Sequence, residues 1–516
     1  MKHLLFTICA LLASVMGAAQ AAEKILFVPL DNRPVSLSYT VDSFRRAGYD
    51  VVTPPAEYIA SNTNTGDPDG LAEWLDREAP GASGAVVSGD ALLYGGLVNS
   101  RTHHLSEKTL EQRASRLLAF KKKHPDVPLY AFSTIMRSPR WSGAPVEPAY
   151  YSQYGPQLFR WGQLRDKQEL GLLKKKEARE LEGLEQALPE AVRQDLLKRR
   201  AKNRAMLVIL ADGLKTGALD YFLIGRDDSA AYSEAHRDAR HFMETVQDVP
   251  SYKLRSFAGA DELGMVLLNR AVNKVRGKTP LVYGYYPEGK GKVTVPSYED
   301  NTVEHSYREH VLAAGAYPAQ FDKRADLVLG LHTPVDGVTY GANELENGYT
   351  LGPEQERFLQ RTEQYLAAGK NVGLADIAFG NGGSNALVKA LFDRGDAYRL
   401  GSYAGWNTAS NSLGYALGQG LLRPQLSDAD REHLLTVRYL DDWAYQSDVR
   451  QQVRKELIWA NQWPDGKLDE VQTKQAEQFI TEKMKEKMTP CLGGKRVGQY
   501  EFRLPWKRTF EVEVKK

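Results

Sequence analysis

Short apolar runs alternate with amphipathic stretches along most of this sequence, and this alternation constrains the fold more than any other feature. Stretches of helical spacing lie between the apolar runs, for example at 109–123, 262–275 and 354–368. Parallel strands must be joined by crossovers, which are usually helices, so the pattern predicts an α/β fold with parallel strands. The apolar runs predict ten strands, at residues 25–30, 51–53, 85–88, 129–133, 221–224, 253–257, 281–285, 327–331, 372–375 and 400–403.

The predicted elements divide the chain into three parts. An α/β domain spans 22–295, a second α/β unit spans 296–425, and a helical C-terminal region spans 426–516. The strands of the first domain can form either a TIM-like barrel or an open sheet, and the sequence leaves both arrangements open. A charged segment at 163–204 carries leucines at near-helical spacing, which predicts a helical insertion with a solvated face, and Pro189 is expected to separate two helices within it.

Residues 1–21 have the features of a secretory signal peptide. Lys2 precedes an apolar run at 4–15, and Ala19-Gln20-Ala21 gives the small-x-small pattern that a signal peptidase cuts. The run is too short to span a bilayer as a helix. The mature chain is therefore expected to be periplasmic or secreted. Cys491 would be its one cysteine, which excludes an intramolecular disulfide.

The net charge and the absence of known motifs limit which partners and cofactors we expect. Lys and Arg total 67 and Asp and Glu total 65, a balance that gives no case for nucleic acid or a membrane surface as a partner. The sequence contains no CxxC, HxH or HExxH pattern, and its glycine-rich segments match neither GxGxxG nor GxxxxGKS/T. We therefore expect no metal and no nucleotide cofactor.

Polar residues gather where the predicted strands end. In parallel α/β folds, ligands bind beyond the carboxyl ends of the strands, because the loops there vary on a rigid scaffold. Three carboxylates in such positions are candidates for catalysis, namely Asp227, Asp228 and Glu262. The residues that we expect to bind substrate are Asp31, Asn32, Arg33, Asp90, Tyr94, Arg101, Arg137, Asp261, His332, Asp376, Asn381, Trp406, Asn407 and Asn411.

Several of these residues belong to longer motifs, which are LDNRP, SGDALLYGGLVNSR, IMRSP, the Asp227-Asp228 pair, GADE and GWNTASNSLG. Together the motifs resemble an uncharacterised bacterial family, the domain of unknown function 4127, along nearly the whole mature chain. The family name carries no activity. The resemblance therefore supports the choice of motifs and implies nothing about the reaction.

Asp227-Asp228, directly after the predicted strand at 221–224, is the sharpest catalytic candidate. Adjacent carboxylates repel, so one tends to keep its proton and can act as an acid while the other stays ionised. Glycoside cleavage needs two such groups. The pair is similar in position and spacing to the Asp-Asp pair of certain retaining hexosaminidases. By that resemblance Asp227 would orient the substrate's 2-acetamido group and Asp228 would protonate the leaving group, with Glu262 in reserve. The alternative is that Asp228 or Ser229 caps the following helix.

Arginines beyond three different strands bear on the charge of the substrate. Arg33, Arg101 and Arg137 can converge on an anionic group through bidentate hydrogen bonds. Alternatively, each can pair with a local acid such as Asp31 or Asp90 and hold its loop in place, and we expect such pairing for at least one of them. The choice between these interpretations needs the structure.

The remaining polar and aromatic candidates have both a functional and a structural interpretation. Asparagine offers a donor and an acceptor to sugar hydroxyls, but Asn381 lies in a glycine-rich turn. Asp261 is most simply the N-cap of the next helix, and His332 is either an acid/base or a hydrogen-bonded structural residue. The aromatic rings that can either stack on sugars or belong to the core are Tyr94, Trp141, Tyr285, Tyr286, Tyr403 and Trp406.

These observations lead to three hypotheses for function. The first is an exported glycoside hydrolase whose substrate is an N-acetylhexosamine-containing glycan. The second is a hydrolase of an anionic glycan organised by the arginines. The third is a non-catalytic glycan or solute receptor. The number of charged strand ends favours an enzyme, because catalysis needs charged groups with shifted pKa values.

Overall fold

The computed structural model describes residues 22–140 and 146–516. The predicted signal segment and Trp141 lie outside the described residues. A strand occupies each of the ten predicted positions, so the prediction of an α/β fold with parallel strands is confirmed. The strands form two parallel sheets, of six and five strands.

The first sheet has the strand order β2-β1-β3-β4-β5-β6, with β2 and β6 at its edges. Of the two arrangements that the sequence left open, the first sheet therefore has the open one. Its strands are β1 (Lys24–Val28), β2 (Asp50–Val52), β3 (Gly84–Ser88), β4 (Leu129–Ile135), β5 (Tyr221–Arg226) and β6 (Leu254–Ala258).

Helices cover both faces of this sheet, as the apolar character of its central strands requires. In β1, Leu26 and Val28 face an outer core, while Ile25 and Phe27 face a core that is shared with the second sheet. The helices that follow β1 to β3 are α1 (Ser38–Arg46), α2 (Pro68–Glu78), α3 (Gly89–Tyr94), α4 (Leu97–Thr102) and α5 (Glu107–Lys123).

The predicted insertion between β4 and β5 is confirmed as helical. It consists of α6 (Tyr151–Glu169), α7 (Lys175–Ala187) and α8 (Glu190–Thr216), and Pro189 marks the break before α8 as expected. The end of α8 packs on the sheet, whereas the preceding helices enclose a small core of their own. After β5, α9 (Glu234–Thr245) completes the outer layer.

The second sheet has the strand order β13-β11-β9-β7-β8 and begins earlier than predicted. β7 (Leu281–Tyr285), which we expected in the first domain, pairs with β8 (Tyr317–Pro318) and β9 (Leu327–His332). The boundary between the sheets therefore lies within 259–280 rather than near 295. An apolar run marks a strand but not the sheet that the strand joins. The remaining strands of this sheet are β11 (Val372–Asp376) and β13 (Ser402–Ala404), and the two-residue β10 (Tyr340–Gly341) and β12 (Phe379–Gly380) pair beside it.

Two helices pack between the sheets and join them through one continuous core. They are α10 (Leu263–Val275) and α14 (Ala409–Leu422), and glycines permit their close approach. Gly418 of α14 lies against Met265, so a Cβ there would lie 2.5 Å from the methionine side chain. The other helices of this unit are α11 (Val303–Ala313), α12 (Pro353–Ala367) and α13 (Asn385–Asp393).

The C-terminal region is helical, as predicted, and ends in a β-hairpin-like pair. The helix α15 (Asp428–Arg438) continues into wide π-type turns at Tyr439–Val449, then α16 (Arg450–Gln452), then a second π-type segment at Val453–Trp459. After α17 (Glu470–Leu492) and α18 (Gly494–Val497), β14 (Glu501–Arg503) pairs antiparallel with β15 (Glu513–Lys515). Within 22–140 and 146–516, no helix combines the length and apolar character needed to cross a membrane.

Candidate active site

The carboxyl ends of both sheets open onto one cavity of about 400 Å³. Such a position follows from the topology, because parallel α/β sheets leave a crevice beyond their strand ends where the connections diverge to either side. The cavity is lined by Arg33, Leu97, Val98, Arg101, Arg137, Val146, Asp227, Asp228, Asp261, Tyr298, Asn381, Asn407, Arg450, Arg454, Trp506, Arg508 and Phe510.

Eight of the predicted site residues line this cavity, although they come from seven different loops. Six of them follow strands of the first sheet, and we call these the strand-end wall: Arg33, Arg101, Arg137, Asp227, Asp228 and Asp261. Asn381 and Asn407 follow strands of the second sheet, and Tyr298, which the sequence did not single out, lies in the loop after β7. The expectation that polar strand ends converge is therefore confirmed for these residues.

Arg33 joins the strand ends of β1 and β6 through buried ion pairs. Its guanidinium lies 2.9 Å from Asp31 and 2.5 Å from Asp261. Burial alone would lower the pKa of Arg33, but Asp261 and Asp31 outweigh it and raise the pKa well above its usual value. Burial raises the pKa of Asp261 to about 6, against the opposing effect of Arg33. Asp261 makes no capping hydrogen bond to α10, so the N-cap interpretation is wrong.

A second network joins the ends of β4 and β5. Glu147 accepts from Arg137 at 2.5 Å and from Arg101 at 3.4 Å. Arg101 also pairs with Asp227, and Arg137 pairs with Asp228 at 2.8 Å. Each of the three predicted arginines therefore pairs with acids, as expected for at least one of them, and each also lines the cavity.

Asp228 combines a raised pKa with an ion pair to Arg137. Burial raises its pKa, Arg137 opposes the rise, and the adjacent Asp227 adds to it. Neither Asp228 nor Ser229 caps a helix, because α9 begins at Glu234 and Ser233 accepts the capping hydrogen bond from His236. The structural alternative for the Asp pair is therefore wrong.

Unusual backbone conformations concentrate at the cavity. Six non-glycine residues of the described chain have positive φ, and four of them line the cavity: Asp228 at 37°, Tyr298 at 69°, Asn381 at 62° and Asn407 at 62°. Asparagine and aspartate tolerate this region, but for a bulky residue such as tyrosine it is an outlier. Such conformations persist where the surroundings hold them in place, and they cluster at functional sites.

Another part of the cavity lining comes from the C-terminal region, which the sequence did not single out. This C-terminal wall consists of Arg450, Arg454, Trp506, Arg508 and Phe510. Trp506 donates through Nε1 to Asn32 at 2.7 Å, and its ring lies 5.4 Å from the Arg33 guanidinium. Two signals in the sequence point this way. Arg450 and Arg454 lie one helical turn apart, and basic and aromatic residues interleave in the segment WKRTF.

Several predicted residues lie behind the cavity rather than on it. Asp31 and Asn32 support Arg33 and Trp506. Asp90 is buried and accepts from the backbone and hydroxyl of Thr134, each at 2.8 Å. Tyr94, a predicted substrate-binding residue, is buried and stacks on His103.

Other predicted residues have side chains that point into the core and not into the cavity. Glu262 is fully buried beside His310 and does not line the cavity, so it is not a reserve catalytic group. His332 and Asp376 are directly opposed on β9 and β11 and bond at 2.8 Å. Trp406 packs on Phe510, and Asn411 lies in the first turn of α14. Tyr285 and Tyr403 are buried with bonded hydroxyls.

The site is thus a polar, arginine-rich cavity with three carboxylates. Across the described residues, no three His, Cys, Asp or Glu side chains are arranged to hold a metal ion. No curated protein matches this chain. The family model for a protein of unknown function (DUF4127) matches residues 25–515, which confirms the resemblance seen in the motifs, and the chain belongs to that family.

Proposed function

We propose that this chain is an exported hydrolase of acidic glycans, in which arginines bind the anionic group and Asp228 protonates the leaving oxygen. One observation carries the proposal. Six guanidinium groups and three carboxyl groups line a single cavity of about 400 Å³ beyond the strand ends. A cavity of this volume accommodates a small number of sugar rings, and guanidinium groups are suited to carboxylate, sulfate and phosphate groups.

The carboxyl groups supply the acid-base chemistry that glycoside cleavage needs. The raised pKa of Asp228, which burial causes, favours a protonated group that can donate to the leaving oxygen. Asp227 faces the same cavity and pairs with Arg101, which holds its orientation. Asp227 is therefore our candidate for the second carboxylate, which acts on the substrate as nucleophile or directs the attacking group.

The test uses aryl glycosides that differ in charge: an aryl hexuronide, an aryl sialoside, an aryl 6-phosphohexoside and an uncharged aryl hexoside. We expect release from at least one acidic glycoside and none from the uncharged one. Asp228→Asn should lower kcat by roughly 100- to 10,000-fold, since that is the usual contribution of a general acid. Asp212→Asn is the matched control, because Asp212 is exposed and pairs with Lys215. An unchanged kcat in Asp228→Asn would exclude Asp228 as the acid.

The adjacency of Asp227 and Asp228 favours a second candidate, cleavage of N-acetylhexosamine glycans with the substrate's acetamido group as nucleophile. Both carboxyl groups line the cavity directly after β5, as that chemistry requires. Aryl 2-acetamido-2-deoxyhexosides distinguish the two candidates. Release from these sugars alone would favour the second candidate. Binding of acidic glycans without any turnover would favour a receptor and contradict both.

A further inference from the structure

The six arginines of the cavity differ in how their charge is compensated. Five of them pair with carboxylates, and these pairs are Arg33 with Asp31 and Asp261, Arg101 with Glu147 and Asp227, Arg137 with Glu147 and Asp228, Arg454 with Asp465, and Arg508 with Glu511. Arg450 has no ion pair within the described residues, and the segments outside them, 1–21 and 141–145, contain no Asp or Glu. Arg450 is therefore the one cavity arginine whose charge the chain leaves unpaired.

One edge of the Arg450 guanidinium makes no hydrogen bond among the described residues. Its Nη1 donates to the side-chain oxygen of Gln446 at 3.1 Å. The buried Nε has no hydrogen-bond partner in the part of the chain that the structure describes, and no hydrogen bond to Nη2 is found there. The edge formed by Nε and Nη2 has the geometry that binds two oxygens of one oxyanion.

The surroundings of Arg450 raise the free energy of its charged form. Its guanidinium lies 4.6 Å from the ring centre of Phe510, which covers one face. Burial lowers the pKa of Arg450 and Arg454 adds to this, and together they outweigh Tyr445, Asp465 and Glu511, which raise it from beyond ion-pair distance. The paired arginines of the strand-end wall behave in the opposite way, because carboxylates raise the pKa of Arg33 and Arg137. Arg450 is half-buried, so part of its charge is removed from water without a carboxylate partner, and an anionic ligand would supply that partner.

The backbone around Arg450 is also unusual. The residue begins the short α16, between the π-type segments that end at Val449 and begin at Val453. Wide helical turns are rare and often occur at functional sites, because they turn side chains away from the usual helical direction. Arg454, one turn later, lines the same cavity.

We infer that Arg450 is the specificity-determining residue of the cavity, and that its Nε–Nη2 edge binds the carboxylate, sulfate or phosphate group of the substrate. This inference rests on the proposed function, since it names the residue that selects an acidic glycan. In this arrangement Arg450 binds the anionic group, and Asp227 and Asp228, which line the same cavity, act at the scissile bond.

The test measures anion binding directly and needs no turnover. Acetate, sulfate and inorganic phosphate are titrated into the full mature chain by calorimetry at constant ionic strength, with chloride as the reference. We expect at least one anion to bind and Arg450→Met to weaken it by roughly 10- to 100-fold, the loss of a charged pair of hydrogen bonds. Arg357→Met is the matched control, because Arg357 is exposed on α12 and pairs with Glu288, and its affinity should equal that of the unmodified chain.

Arg450→Lys keeps the charge and removes the two-oxygen geometry, so it decides the question if Arg450→Met does not fold. We expect Arg450→Lys to weaken binding by roughly 3- to 10-fold. Unchanged affinity in Arg450→Lys and in a folded Arg450→Met, or no binding of any of the three anions by the unmodified chain, would overturn the inference. A chain that binds an anion through Arg450 but hydrolyses no glycoside would contradict the proposed function alone.

Discussion

The arginines of the two walls of the cavity differ in the number of carboxylates that they contact. In the strand-end wall, each of Arg33, Arg101 and Arg137 contacts two carboxylates. In the C-terminal wall, Arg454 and Arg508 each have one carboxylate partner and Arg450 has none among the described residues. In the strand-end wall five carboxylates therefore surround three guanidinium groups, whereas in the C-terminal wall three guanidinium groups have two carboxylate partners among the described residues.

This difference suggests different roles for the strand-end wall, whose loops are tied together, and for the C-terminal wall. Ion pairs tie the loops after β1, β4, β5 and β6 to their neighbours, and the proposed function requires such fixed positions for its reacting groups. A group that selects a ligand needs an unsatisfied charge instead, because a neutralised arginine gains little from a new anion. The C-terminal wall provides that charge.

The largest loss of stability at pH 7 is expected when a shared carboxylate is removed from the ion pairs of the strand-end wall. Glu147→Gln removes the carboxylate that Arg101 and Arg137 share, and Glu147 is only 8% exposed. Each guanidinium retains one acid, so we expect a loss of about 3 kcal/mol in the free energy of unfolding, measured with urea at pH 7.

Glu354→Gln is the control for this prediction, because the pair between Glu354 and Arg357 lies at the surface. We expect it to cost about 0.5 kcal/mol or less. If Glu147→Gln cost no more than Glu354→Gln, the ion pairs of the strand-end wall would not be what stabilises it, and the contrast between the two walls would fail.

An effect that is seen as a change of stability with pH is expected behind the strand-end wall at Asp90. Burial raises the pKa of Asp90 to about 7, although hydrogen bonds from Thr134 oppose the rise. An unfolded aspartate titrates near pH 3.9, on the order of three units lower. Between about pH 4 and pH 7 the folded chain therefore holds a proton that the unfolded chain has lost, so Asp90 contributes stability that falls as pH rises, by up to about 1.4 kcal/mol per pH unit.

Asp90→Asn should remove this contribution to the slope of unfolding free energy against pH, measured with urea from pH 4 to pH 8. Asp248→Asn is the control, since Asp248 is exposed and pairs with Lys215, and its slope should match that of the unmodified chain between pH 5 and pH 7. Equal slopes for Asp90→Asn and Asp248→Asn would show that Asp90 is ionised in the folded state.

The sequence predicts the strand-end wall well because its information is local. An apolar run followed by a polar residue identifies both a strand and the side chain at its end, as in the step from Ile224 to Asp227. Parallel pairing then brings such ends together without any knowledge of the partner strand. The same reasoning misassigns Glu262, because it does not show which residues of a turn face the cavity and which face the core.

The C-terminal wall is not predicted in this way because its contacts join residues that are far apart in the sequence. Trp506 bonds to Asn32 across a separation of 474 residues. The spacing of Arg450 and Arg454 and the segment WKRTF mark residues of this wall, but they do not show which distant segment each residue contacts. The charge that remains unpaired is likewise visible only when all neighbours of each arginine are known.

The smallest predicted effect tests whether the two walls are coupled through that distant contact. Trp506→Phe keeps a ring over Arg33 and Arg508 but removes the Nε1 donor to Asn32. Trp161→Phe is the matched control, because Trp161 is equally buried and packs on Arg165, yet its Nε1 has no hydrogen-bond partner among the described residues. We expect Trp506→Phe to lower the free energy of unfolding by about 1 kcal/mol more than Trp161→Phe, the usual net value of one hydrogen bond. Urea denaturation of both variants at pH 7 measures the difference. If the two variants lost equal stability, the C-terminal wall would be held by packing alone, and its position relative to the strand-end wall would not depend on Asn32.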